Sequence, residues 1–174
     1  MSYIYRKIIF LDFDGVLNTE HYQGLLRYQG EPWQDEHGAV FDPNAVKELE
    51  RIVNATHADI VIESSWKYLG LEAMQELWKV RNLPGRVIDI TPTAIGDRCL
   101  LGSDMDNIYL EQFNSKGREI LAWLSTHGIR DIRYVIIDDE YVILDSQLPY
   151  FILTNPYEGI TKEHADRVIS ILNG

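Results

Sequence analysis

The chain has 174 residues, of which 45% are hydrophobic, enough for one domain of ordinary size with a real core. It carries 16 basic against 27 acidic residues, a net charge of −11. That balance disfavours a long nucleic-acid ligand, which is gripped by basic patches, without forbidding a local basic pocket. A single cysteine excludes an internal disulfide.

Arg6 and Lys7 precede an apolar run, but Asp12 ends it after Leu11. A secretory signal needs about 7–15 apolar residues and a membrane span about 20. No stretch meets either, so the expectation is a cytoplasmic chain with no membrane partner. Ile8–Leu11 is short, continuously apolar and β-branched, the pattern of a strand buried on both faces of a parallel sheet. Asp42 caps and Pro43 opens a helix on which Val46, Leu49, Ile52 and Val53 recur at helical spacing. Ile60–Ile62 is a second strand. Leu71, Met74, Leu77 and Trp78 line a further helix, and Val87–Ile90 is a third strand. Ser115 caps a helix carrying Ile120, Leu121 and Leu124, which ends near Gly128. Tyr134–Ile137 and Phe151–Leu153 complete five strands, and a last helix begins at Thr161 and carries Val168, Ile169 and Leu172.

Strands alternating with helices predict an α/β fold: a Rossmann-like three-layer sandwich around a five-stranded, mainly parallel sheet, in one domain spanning residues 1–174. Ligands of such folds sit outside the carboxyl ends of the strands. The polar residues just past each strand therefore converge: Asp12 and Asp14, Ser64 and Ser65, Asp138 and Asp139.

Asp12-Phe13-Asp14-Gly15 sets two carboxylates two positions apart at a strand end, with a glycine that permits a sharp turn. Taken alone it reads equally as an Asp-Gly turn. Ile137-Asp138-Asp139 ends another apolar strand in adjacent acids, which alone reads as a solvated turn. Two acidic strand ends in one sheet together make a hard-cation site, and oxygen donors with a substrate phosphate favour Mg²⁺. The Ser64 and Ser65 hydroxyls can donate to a phosphoryl oxygen or cap a helix. Lys116, at a helix start where a cation opposes the helix dipole, is tolerable beside an anion; a surface lysine is the plainer alternative. Glu63 is out of place at the end of a buried strand and receives no role.

These segments resemble the haloacid dehalogenase-like superfamily. Asp12-Phe13-Asp14-Gly15-Val16-Leu17-Asn18 is similar to its first motif, Ser64 or Ser65 to the second, Lys116 to the third and Asp138-Asp139 to the fourth. The Ser64-Ser65-Trp66-Lys67 run and the segments around Lys116 and Asp138 resemble a small branch grouped with "Swiss army knife" RNA-repair proteins, whose second motif usually ends in Trp-Arg.

The resemblance implies a Mg²⁺-dependent phosphohydrolase. Asp12 would be the nucleophile that takes the phosphoryl group, and Asp14 the acid and then the base. The Asp12 carboxylate, the Asp14 carbonyl and Asp138 would hold the metal, supported by Asp139. Ser64 and Lys116 would hold phosphoryl oxygens. Dehalogenases of the superfamily lack the second aspartate, so its presence favours phosphate esters. The cap expected from the short insertions is minimal: a flap at about 18–42 and a lid at about 91–114. Ser65, Lys67 and Arg98 are the expected substrate contacts, Arg98 from that lid beside Tyr109 and Phe113. So open a site suits a phosphorylated small molecule or nucleotide, closed in by a second copy of the chain, or a phosphate on a larger substrate. A 3′-phosphatase of nucleic-acid repair and a silent domain that binds Mg²⁺ or a phosphorylated partner are the alternatives.

Overall fold

The computed structural model describes residues 4–93 and 115–174. Five parallel strands form one sheet: β1 (Arg6–Leu11), β4 (Asp59–Ile62), β5 (Val87–Ile90), β6 (Ile132–Asp138) and β7 (Phe151–Leu153). Their order is β5-β4-β1-β6-β7, so β1 is central, pairing Leu11 with Ile62 on one side and Ile137 on the other. Each expected strand is present. The sheet is all parallel, where a mainly parallel one was expected.

Side chains alternate across the sheet. Ile9, Leu11, Ile60, Ile62, Val135 and Ile137 pack one core, and Ile8, Phe10, Val61 and Ile136 pack the other. Helices α2 (Pro43–Thr56), α3 (Leu71–Val80) and α5 (Lys162–Asn173) supply the first core through Leu49, Ile52, Met74, Leu77 and Val168. Helix α4 (Ser115–His127) supplies the second through Ile120, Trp123 and Leu124. The result is a three-layer Rossmann-like α/β sandwich. Burying each such aliphatic or aromatic side chain is worth about 1.5–3 kcal/mol, which is why the apolar runs rather than helix propensity fix the layers.

The cap read at Asp42 forms as expected, and Ser115, read as a cap, is the first residue of α4. Asp42 accepts from the Asn44 amide at 2.9 Å with Pro43 in the first turn, and Thr161 caps α5. The flap expected at residues 18–42 holds a helix as well as a hairpin. Helix α1 (Glu20–Tyr28), capped by Thr19, comes first, and the antiparallel pair β2 (Gln34–Asp35) and β3 (Gly38–Ala39) follows. Leu26 is the one buried residue of α1, so the helix lacks the wide buried stripe that would have announced it. Of the expected lid, residues 91–93 are described, and Arg98, Tyr109 and Phe113 lie outside the described residues. Among the described residues no helix is long and apolar enough to cross a membrane.

Candidate functional site

The site is built where the central strands end. The Asp12 amide donates to Ile137 O at 3.1 Å, which carries the β1–β6 ladder one residue past the strand. The chain then turns. Phe13 is fully buried, and its carbonyl accepts from the amides of Val16 and Leu17 at 3.0 and 2.8 Å. Gly15 sits at φ +75°, and a Cβ there would lie 2.3 Å from Asp139 Oδ2. Only glycine lets the two acidic strand ends approach so closely. The Thr154 hydroxyl, just past β7, donates to the Gly15 carbonyl at 2.8 Å and pins the turn.

Asp12 and Asp138 are buried, and Asp139 is half-buried. Ligand oxygens of the three lie within 4.8 Å of one another. Lys116, in the first turn of α4, reaches the same point. Its ammonium donates to Asp138 Oδ2 at 2.7 Å and lies 3.4 Å from Asp12 Oδ2 and 3.6 Å from Glu63 Oε2. Asp138 is fixed on its other oxygen by the Glu140 amide at 2.9 Å.

Too much negative charge is gathered here for one ammonium. Burial, and then the Asp138 charge, push the Asp12 carboxyl up to about 8, against the pull of Lys116. Burial and Asp138 likewise push Asp139 up to about 6. Burial by itself would lower Lys116, but Glu63, Asp12 and Asp138 outweigh it and hold the ammonium well above its usual range. Three convergent hard oxygen donors, with Asp12 and Asp139 pushed up by burial and by the Asp138 charge, fit a divalent cation such as Mg²⁺, which would relieve their repulsion.

Asp14 stands outside this three-acid group. It is exposed, and among the described residues Oδ1 accepts from Asn18 Nδ2 at 2.7 Å and Oδ2 from Trp66 Nε1 at 3.3 Å. Ser64 is fully buried and caps the 3₁₀ turn Ser65–Leu69, its Oγ accepting from the Trp66 amide at 3.3 Å; Ser65 is exposed.

Lys67, expected to touch substrate, is instead buried. Its ammonium donates to Glu119 at 2.5 Å, to the Thr91 hydroxyl at 3.0 Å and to Pro92 O at 3.1 Å. All three of its protons are engaged, and the charge joins the turn after β4 to α4.

Glu63 is the residue that sequence reasoning left without a role. It is entirely buried beside Lys116, neither oxygen accepts a hydrogen bond among the described residues, and burial and the nearby Asp138 raise its carboxyl well above the ordinary range. The signal was its place, an acid directly after Ile60-Val61-Ile62.

A model of the family described as "HAD domain in Swiss Army Knife RNA repair proteins" matches residues 8–165. HAD domains are generally hydrolases or phosphatases and typically use Mg²⁺. No curated protein and no solved structure matches the chain significantly.

Proposed function

The chain belongs to this family of HAD domains, and on that footing we propose that it is a Mg²⁺-dependent phosphohydrolase that cleaves phosphate monoesters through an aspartyl-phosphate. The observation that carries the reading is the meeting of Asp12, Asp138, Asp139 and Lys116 at one point, with Asp14 two residues beyond the first. Asp12, Asp138 and Asp139 would hold Mg²⁺, which supplies positive charge to the phosphoryl oxygens and keeps the carboxylates ionised.

An Asp12 oxygen attacks phosphorus as the bond from phosphorus to the leaving oxygen breaks. Asp14, protonated, gives its proton to that oxygen and is left as a carboxylate. The same carboxylate then takes a proton from a water molecule, whose oxygen attacks phosphorus. The Asp12–phosphorus bond breaks, freeing Asp12, inorganic phosphate and a reprotonated Asp14. Lys116 neutralises charge on the transferring group, and the Ser64 or Ser65 hydroxyl donates to one of its oxygens.

The family description raises nucleic-acid ends as a substrate class. The net charge of −11 weighs against a long polyanion, so the proposed substrate is a phosphorylated small molecule or nucleotide. The test is hydrolysis of a generic aryl phosphate, followed by nucleotides, sugar phosphates and 3′-phosphorylated oligonucleotides. Activity is expected with Mg²⁺, lost to a chelator, and reduced at least a hundredfold by Asp12→Asn, whose amide cannot serve as nucleophile. Turnover unaffected by chelator or by Asp12→Asn would overturn the reading.

A further inference from the structure

Asp14 and Trp66 are 52 residues apart in sequence, on the loops that follow two different strands, yet the indole N–H meets the carboxylate at 3.3 Å. The other donor to Asp14, Asn18, belongs to the same turn and comes with it. Trp66 comes from outside, and its ring is held on three sides. It stands edge-on to Phe13, with centroids 5.2 Å apart, and lies tilted on Phe41 at 5.8 Å. The third side is backbone. Gly38, in the β2–β3 hairpin, sits so close that a Cβ there would be 2.7 Å from the far end of the indole.

The hairpin is itself anchored. Arg81, just past α3, donates to the carbonyls of Ala39 and Gly38 at 2.9 and 3.0 Å, pairs with Asp35 at 2.7 Å, and lies over the Phe41 ring. An unbroken path therefore runs from α3 through the hairpin and the Trp66 ring to one oxygen of Asp14.

We propose that Trp66 is a positioning residue for the acid–base step: its indole N–H, set by the hairpin, fixes the Asp14 carboxyl in the orientation from which it protonates the leaving oxygen. This rests on the phosphohydrolase reading above. Among the described residues each Asp14 oxygen spends one lone pair on a donor and keeps another, so Trp66 and Asn18 together set the plane of the group without blocking it. An exposed carboxylate with one local donor would rotate freely about its last bond. A second donor from a separate, packed element stops that rotation, which is the usual function of supporting hydrogen bonds around a reacting group. The step assisted is the one already written: the proton moves from Asp14 to the leaving oxygen as its bond to phosphorus breaks.

A residue that only packs would affect every substrate alike; one that aims a general acid matters most where the leaving oxygen most needs a proton. Trp66→Phe keeps the ring against Phe13, Phe41 and Gly38 and removes the N–H. Its kcat is to be compared with wild type across phosphate esters whose leaving groups run from nitrophenolate to a simple alkoxide. The expected loss is below about twofold for nitrophenyl phosphate and on the order of tenfold for the alkyl ester, with KM little changed. An equal loss on all esters, or none, overturns the proposal. Should Trp66→Phe not fold, Gly38→Ala, which leaves Trp66 in place and pushes on its ring, is read by the same two outcomes. Wild-type protein that hydrolyses none of the esters refutes the phosphohydrolase reading itself, a separate result.

Discussion

At the scale of single residues, the metal-free site works against the fold. The Asp12 carboxyl, pushed up to about 8 by burial and by Asp138, binds a proton in the native chain that an unfolded chain would have released at about pH 4. Between those values the native state holds more protons, so stability falls as pH rises. Asp139, at about 6, adds to the slope in its lower part, and buried Glu63 adds in the same direction. Lys116 stays charged in both states throughout this window and contributes no slope. Asp12→Asn removes one of these carboxyls without changing its shape. Metal-free Asp12→Asn should therefore melt higher than wild type at pH 8 and lose less stability between pH 5 and pH 8. Thermal denaturation in chelator at the two pH values measures this, and a variant that loses stability as steeply as wild type contradicts it.

At the scale of elements, the structural surprise is how α4 is tied to the turn after β4. Lys67 and Glu119 are each about nine-tenths removed from solvent, and Lys67 also binds Thr91 and Pro92 at the end of β5. Removing one partner of a buried pair leaves the other charge stranded and costs about 3–5 kcal/mol. Lys67→Ala should lower unfolding free energy by that order in urea denaturation. A KM that rises many-fold with stability unchanged would instead make Lys67 a substrate contact. The local sequence gave no sign of this pairing, because its other members lie 24 and 52 residues away. The five strands were legible for the opposite reason: Ile8–Leu11, Ile60–Ile62 and Tyr134–Ile137 are apolar on both faces, a pattern with few other uses. Helix α1 was not, since it buries little and carries Gly24 mid-helix.

At the scale of the whole molecule, the topology explains which parts of the site could be read in advance. Strands β1 and β6 are neighbours at the sheet centre, so the acids that end them had to meet; Asp12, Asp138 and Asp139 follow from strand ends alone. The significance of Glu63 depends on Lys116 arriving from 53 residues downstream, and that of Trp66 on a hairpin whose strands are two residues long, too short to leave a pattern. What the fold gathers is one nucleophile candidate, Asp12, facing a lysine and two further acids at the mouth of a parallel sheet. The most direct measurement of that assignment is to catch the phosphoryl group on the protein. Enzyme with Mg²⁺ and an aryl phosphate is quenched during turnover and treated with borohydride, which reduces an acyl phosphate to the alcohol, and the peptides are read by mass spectrometry. The account predicts homoserine at position 12, absent without substrate and absent in Asp12→Asn; turnover under the same conditions with Asp12 unmodified, or with the label on another residue, would contradict it.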